Sequence, residues 1–388
     1  MLISIIMANY KGATFLPEAI ASVLSQTHSD LEIIICDDAS PDASVPLIHE
    51  WMTRDSRIQL VVTPRNAGPA AARNCAISLA KGDWLAIMDS DDLIHPHRLE
   101  RLVAAALLHR ADIIADDLVY FGDSVHLNGQ TLMQSMSPAS PFFVDTELFL
   151  QANGRSTKVP AFGYLKPLIR RSCLGEMTYD ETLKIGEDYD LVLRLLLNGA
   201  RYAVVPDPMY LYRRHKASVS HRISAENIQA MLSAIDRLPP LPSVGCKISV
   251  DKWRAQLAAD ARFESLAALV RAKFWPAVAL RIFRDPRLIG PLWRSIAERL
   301  GNKRNAGIAR MQRRLILSNG PESQIVLPSI PPAGAAWSEP PGRLAAHLTD
   351  CAAQYNLTVD AQGVSANWAK WLIPQEYMAL LPGGPNGV

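Results

Sequence analysis

The chain has 388 residues, 49% of them hydrophobic and 20% charged, with a formal net charge of +2. That length allows roughly two or three domains, and that composition supports a sizeable core, which excludes a disordered chain. The near-neutral total argues against a globally basic nucleic-acid binder, and five scattered cysteines without a CxxC pair argue against a disulfide scaffold or a thiolate zinc site and fit a reducing compartment.

The start, MLISIIMANYKG, lacks a basic leader, and its apolar run is too short for a signal peptide. No apolar stretch reaches the ~18 residues of a membrane span. Leu2 to Ala8 reads as a strand buried on both faces. Pro17 to Ser25 reads as a helix, with Pro17 in its first turn and Ala19, Ile20, Val23 and Leu24 on one face. A strand from Leu31 to Cys36 ends in Asp37-Asp38. A helix at Val45 to Met52, a strand at Ile58 to Val62 and a helix at Pro69 to Ala80 follow. Trp84 to Met88 is a strand ending in Asp89-Ser90-Asp91-Asp92. A helix from Pro96 to His109 and a strand from Asp112 to Tyr120 complete the series. This alternation predicts βαβ units, a doubly wound α/β class and a mostly parallel sheet. In such sheets ligands bind at the carboxyl ends of the strands. Asn9-Tyr10, Asp37-Asp38 and Asp89-Ser90-Asp91 all fall there.

Residues 121–160 are rich in Ser, Gly and Pro and read as loop with short strands. Order returns with a strand at Lys166 to Arg170, a helix at Glu187 to Asn198 and a strand at Tyr202 to Val205. Residues 1–223 make one domain. Residues 224–318 make a basic helical region. Between Lys252 and Arg314 there are 15 Lys and Arg against 4 Asp and Glu, an excess of +11 that leaves −9 for the rest. Residues 319–388 read as a Pro-rich linker and tail.

Several clusters carry chemistry. Carboxylates one residue apart at a strand end suit a hard divalent cation, with diphosphate oxygens and waters completing its shell. Asp89-Ser90-Asp91 also has a plain account as an acidic turn before a helix. Asp38 can accept hydrogen bonds from a base or a ribose, or simply make a turn. In Asn66-Ala67-Gly68, Gly68 allows close backbone approach, and Arg73 beyond it offers a fork for an anion or lies on a solvated face. Gly186-Glu187-Asp188-Tyr189-Asp190 opens a helix. Its acids suit the helix dipole, and Asp188 suits a general base. His215 can bind a metal or a phosphate, or be structural.

In their order and spacing, SIIMANYKG, SVLSQTHSDLEIIICDDAS, NAGPAAARN, GDWLAIMDSDDLIHPHRL, LKPLIRRSCL, GEDYDLVLRLL and YLYRRHKASVS resemble glycosyltransferase family 2. The likeness covers roughly residues 2–222. It implies the nucleotide-diphosphosugar transferase (GT-A) fold, a Rossmann-like doubly wound mixed sheet with a helical C-terminal extension, and an inverting, metal-dependent transfer from a nucleotide-diphosphosugar, UDP-linked, to an acceptor hydroxyl. By that resemblance Ala8, Tyr10 and Asp38 line the nucleoside pocket, and Arg73 lies near the base or the phosphates. Asp89 lies near the ribose, and Ser90 and Glu187 belong to the nucleotide-sugar site. Asp91 holds Mg²⁺ or Mn²⁺, Asp188 is the catalytic base, and His215 closes over the diphosphate and the metal.

The chain departs from the processive synthases, having no QxxRW motif and no flanking membrane helices. The resemblance therefore implies a non-processive enzyme of bacterial surface or exported polysaccharide, acting in the cytoplasm on a lipid-linked acceptor. The basic, aromatic tail (Trp253, Phe274, Trp275, Phe283, Trp293) suits a peripheral stay on an anionic membrane. Alternatively it is a helical subdomain with those aromatics in its core. One rival is a non-catalytic nucleotide-sugar-binding protein or scaffold of a polysaccharide assembly complex. A nucleotidyltransferase would carry a Gly- and Lys/Arg-rich loop after the first strand, and a dehydrogenase a GxGxxG there; ANYKG fits neither.

Overall fold

The computed structural model describes residues 1–122, 130–136, 138, 140–153, 159–215, 224–290 and 292–293. Four strands form where the apolar runs place them: β1 (Ile3–Asn9), β2 (Leu31–Asp37), β3 (Ile58–Val62) and β4 (Trp84–Asp89). Every residue of β2 is buried, and β1 and β4 nearly so, as expected of strands covered on both faces. Between them run α1 (Leu16–Leu24), α2 (Ser44–Arg54) and α3 (Pro69–Leu79). Pro69 opens α3 directly after Gly68, whose φ of 98° a side chain rarely tolerates.

The chain then adds β5 (Leu93–Ile94), α4 (Arg98–His109), β6 (Ile113–Gly122), β7 (Phe142–Val144), α5 (Thr146–Gln151) and β8 (Leu168–Arg170). The short α6 (Arg171–Leu174), α7 (Glu187–Leu197) and β9 (Tyr202–Arg214) follow. The strands form one sheet in the order β3-β2-β1-β4-β8-β6-β9-β5, with β7 also on β9. Its first half, β3 to β4, is parallel, as is the β6–β9 pair. The pairs β4–β8, β8–β6, β9–β5 and β9–β7 are antiparallel. The sheet is thus mixed, as the resemblance implied, and the parallel pairing expected from the alternation of elements holds for β3 to β4 and for β6 with β9.

Two other expectations shift. The strand read as Tyr202 to Val205 continues to Arg214. Pro206 and Pro208, just beyond the expected end, lie where the register against β6 slips on either side of Asp117. A residue without an N–H is tolerated at such an irregularity. Within 121–160 the chain forms β7 and also a helix, α5, whose N-cap Asp145 accepts from Leu148 N at 2.8 Å.

Beneath this sheet a closed ion pair is set in the core. Arg98 opens α4 and forks onto Asp116 of β6, with Nε at 3.0 Å and Nη2 at 2.8 Å. The guanidinium also packs over the Tyr210 ring, 5.0 Å from its centroid.

Among the described residues the chain divides into two compact units, one of residues 1–215 with 238–249, the other of residues 224–237 with 250–290 and 292–293. The second unit contains α8 (Ala225–Asp236), most of α9 (Val244–Arg271) and α10 (Trp275–Arg284). Its small core is Leu266, Val278 and Leu288, backed by Phe263, Ile282 and Leu292. Among the described residues no helix is long and apolar enough to cross a membrane. The linker and tail expected over 319–388 lie outside the described residues.

Candidate active site

The carboxyl ends of β1, β2 and β4 lie side by side, because Ala8 pairs with Cys36 on one flank and with Asp89 on the other. The turn after β1 is tight. A Cβ on Gly12 would stand 2.0 Å from Asn9 Oδ1, so a side chain there would have to displace the Asn9 amide. Asn9 Nδ2 donates to Asp37 Oδ2 at 2.7 Å, and Ser40 N donates to Asp37 Oδ1 at 2.8 Å. Tyr10 projects from this turn, 47% exposed. Asp38, by contrast, is buried. It accepts from Ala67 N at 2.9 Å, Gly68 N at 2.7 Å and the Thr63 hydroxyl at 3.0 Å. Asp38 therefore ties the Asn66–Gly68 loop to the end of β2.

Below that loop Arg73 is only 3% exposed, which removes the solvated-face account of it. Its Nη2 donates to Asp89 Oδ1 at 2.7 Å and its Nη1 to Glu187 Oε1 at 2.5 Å. Lys166 enters from the segment before β8. Its Nζ lies 2.8 Å from Asp89 Oδ2 and 2.8 Å from Asp188 Oδ2. Asp188 Oδ1 is 3.3 Å from Arg73 Nη1, within ion-pair range, yet it makes no hydrogen bond. Arg73 Nε is likewise buried without a partner. Groups left so in a native core ask for a reason, and a bound substrate is one.

Two cations thus face three carboxylates, and the carboxyls respond unequally. Burial pushes Asp89 up, but Lys166 and Arg73 outweigh it and hold the group at about 2. Burial also pushes Asp188 up, and again Arg73 and Lys166 prevail, keeping it below the ordinary range. Glu187 goes the other way: burial and the Asp188 charge raise it, and the cations only partly offset them. Asp188 is therefore ionised at neutral pH, as a proton acceptor must be.

The other carboxylates of the turn after β4 have their own partners. Asp92 is buried and accepts from the Tyr210 hydroxyl and from Arg213 N, both at 2.7 Å. Burial, Asp91 and Asp89 together raise its pKa. Asp91, 32% exposed, has His215 Nε2 at 2.8 Å, and the His215 ring lies 4.7 Å from that of Phe15. Ser90 is buried beside Gly12. One oxygen from each of Asp89, Asp91 and Asp92 falls within 4.8 Å of the others. Three carboxylates this close repel one another, and Asp91 and Asp89 add to the burial that lifts Asp92; a divalent cation would relieve their crowding. The residues fit such an ion.

The fold brings Arg73, Asp89, Glu187 and Asp188 into one cluster and Asp91 and His215 into direct contact. Ala8, Tyr10 and Asp38 lie at the neighbouring strand ends. Sequence reading missed Lys166, Tyr210 and Arg213. Lys166 did carry a signal: a lysine among Leu165, Pro167 and Leu168 at the mouth of a buried strand is seldom buried without an ionic partner.

Residues 4–169 match the family model described as glycosyl transferase family 2. The putative glycosyltransferase EpsE of Bacillus subtilis is 30% identical over 247 residues, which is 61% of this chain and 82% of that protein. The chain belongs to glycosyltransferase family 2. The succinoglycan biosynthesis protein ExoO of Rhizobium meliloti is 34% identical over 60% of this chain and 66% of its own length. The chain thus spans just under two thirds of that relative. Among solved structures, residues 1–349 of S. aureus TarS in complex with UDP-GlcNAc align with a TM-score of 0.53 at 20% identity, covering 65% of this chain and 72% of that one. That likeness places the family 2 sheet described above within the GT-A glycosyltransferase fold.

Proposed function

We propose that the chain moves a sugar from a nucleotide-diphosphosugar, UDP-linked, to an acceptor hydroxyl in a single inverting displacement. The observation that carries this reading is the Lys166–Asp188 pair beside the Asp89–Asp91 turn. It sets an ionised carboxylate next to a group suited to a diphosphate. In this reading Ala8, Tyr10 and Asp38 bound the nucleoside pocket, Asp89 faces the ribose, and Ser90 belongs to the same donor site. Arg73 serves that pocket by holding Asp89 and Glu187 in place. Asp188 takes the proton of the acceptor hydroxyl. The oxygen attacks the anomeric carbon opposite the diphosphate, which leaves with the bonding pair. Asp91 and His215 are the residues that would hold Mg²⁺ or Mn²⁺, whose chemistry there is to neutralise the diphosphate oxygens.

The name of ExoO supports a role in exopolysaccharide biosynthesis, which suits a lipid-linked saccharide as acceptor. An anionic membrane surface on the cytoplasmic side would present it. In the second unit Phe274, Trp275, Phe283 and Trp293 are 57%, 60%, 85% and 71% exposed, so they are not the core of that unit. Lys273, Arg281, Arg284 and Arg287 stand among them in the chain. Exposed aromatics with interspersed cations suit a lipid interface, at about 1 kcal/mol for each basic residue near the surface.

Release of nucleotide diphosphate, measured over a panel of UDP- and GDP-sugars with and without Mn²⁺, tests the transfer. A UDP-sugar turned over only with the ion is expected. No release from any donor would sink it. The membrane contact is tested separately by flotation. The chain should rise with vesicles rich in phosphatidylserine, stay down with phosphatidylcholine alone, and detach as salt rises. Indifference to anionic vesicles at low salt would rule the contact out.

A further inference from the structure

The acidic turn after β4 is gripped from β9 by a buried cation. Arg213 is only 3% exposed, and it makes three hydrogen bonds there. Its Nε donates to the carbonyl oxygen of Asp91 at 2.6 Å, and its backbone N donates to Asp92 Oδ1 at 2.7 Å. Its Nη2 donates at 2.6 Å to Oε2 of Glu18, in the first turn of α1. The guanidinium also packs over two rings, 4.6 Å from the centroid of Phe15 and 4.5 Å from that of Phe121.

Phe15 joins this arrangement to the side chain of Asp91. Its ring lies 4.7 Å from that of His215, whose Nε2 is 2.8 Å from Asp91 Oδ2. Its backbone is tied to the turn after β1, where Phe15 N donates to the Gly12 carbonyl oxygen at 2.9 Å. Asp91 is therefore held twice, by its main-chain oxygen and by its carboxylate, although it is 32% exposed. Left alone, an aspartate on an open turn samples several backbone and rotamer states. Stability does not account for the Arg213–Glu18 pair, since desolvation cancels much of the attraction within a buried pair. What the pair supplies is geometry. A planar fork reaches Glu18 and the Asp91 carbonyl together, which an ammonium on a flexible stem does not.

We propose that Arg213, held by Glu18 and Phe15, is a positioning residue for the divalent cation: Arg213 fixes the Asp91 backbone, and Phe15 fixes the His215 ring. This rests on the reading of Asp91 and His215 as the residues that hold the ion. Neither Arg213 nor Phe15 offers the ion a ligand, so both act through their neighbours. Groups that orient a metal ligand in this way are worth about 10–100-fold in metal affinity.

Calorimetry on the full chain tests this, with UDP titrated in the presence and absence of Mn²⁺. Arg213→Lys keeps the charge and the contact with Glu18 but gives up the bond to the Asp91 carbonyl. Its Mn²⁺-dependent UDP affinity should fall about 10–100-fold, while UDP binding without the ion stays as in the wild-type chain. Phe15→Leu should lower the same affinity about tenfold, again with ion-free binding unchanged. The deciding arm adds Arg213→Lys to Asp91→Asn. If Arg213 works through Asp91, the added loss should be under about twofold, because the two substitutions remove one shared interaction. Unchanged Mn²⁺-dependent affinity in Arg213→Lys overturns the proposal, and so do losses that add in full. If the wild-type chain binds UDP with no dependence on Mn²⁺, the ion reading fails and the proposal falls with it. If Arg213→Lys loses UDP binding even without the ion, it has lost its fold, and the partly exposed Phe15→Leu decides: a selective loss supports the proposal, and full affinity overturns it.

Discussion

Two buried arginines, each facing carboxylates, show how differently one molecule can treat charge. Arg98 meets one carboxylate and takes both its oxygens; the pair sums to zero, with side chains 1% and 0% exposed. Arg73 shares a cluster with Lys166 against Asp89, Glu187 and Asp188, so one negative charge is left over, and a quarter of Asp89 is open to solvent. In the closed pair burial raises Asp116 and Arg98 only partly offsets it, so its merit lies in fixing geometry. In the open cluster two carboxyls are held down and the third is raised. Carboxyls pushed apart within one pocket are what proton chemistry requires. The two regions are also joined, because Arg98 Nη2 donates to the carbonyl oxygen of Lys166. The closed pair thereby positions the backbone that carries the active-site lysine.

If this contrast is right, neutralising a member of the open cluster should cost turnover and spare stability, while breaking the closed pair should do the reverse. The largest effect is expected from Asp188→Asn. Turnover should fall about 10²–10⁴-fold, the range of a lost general base. Donor affinity and the thermal midpoint should hardly move, because the base acts on the acceptor. Near-normal turnover in steady-state assays would shift the role to Glu187 or Asp190.

Next comes Arg98→Leu, which leaves Asp116 charged in the core with no counter-ion. A loss of about 3–5 kcal/mol is expected by urea denaturation. Asp116→Leu added to it should restore much of that loss. A double variant no more stable than the single would mean that the Lys166 carbonyl contact, not the charge, is what matters.

A smaller change tests the exposed edge of the acidic turn. Asp91→Asn keeps size and removes charge. It should weaken Mn²⁺-dependent UDP binding at least about tenfold, while binding without the ion stays the same. Calorimetry showing unchanged affinity with Mn²⁺ would remove Asp91 from any metal site.

What could be read in the sequence follows from what each contact depends on. β1, β2 and β4 announce themselves because burial on both faces demands an unbroken apolar run, and their acidic ends then stand out. Asp188 and Glu187 are legible because a helix start attracts acids. Lys166 was legible only as a lysine in want of an ionic partner, since the partners themselves lie 22 and 77 positions away along the chain and only folding reveals them. Tyr210 and Arg213 were hidden for a related reason: two prolines concealed that β9 runs on to them. Asp38 drew attention as a ligand for a base, and the structure adds that it accepts from N–H groups of a loop about thirty residues on. A local pattern cannot register that.

The finest test of the contrast is Lys166→Gln. Lys166 touches both Asp89 and Asp188, yet by position it would orient and charge the base without meeting the acceptor. Glutamine can still donate a hydrogen bond but carries no charge. Without the cation 2.8 Å away, the ionised form of Asp188 loses a partner and its pKa rises. The base works only when ionised, so the acid limb of kcat/KM should move to higher pH, by about one unit. Turnover on the plateau should fall far less than in Asp188→Asn, and Lys166→Arg should bring the limb back towards its original place. A merely structural lysine predicts something else: a lower plateau, a lower thermal midpoint and an unshifted limb. That outcome would put Lys166 with Arg98 among the residues that hold the fold, and would leave Arg73 as the cation that keeps Asp188 ionised.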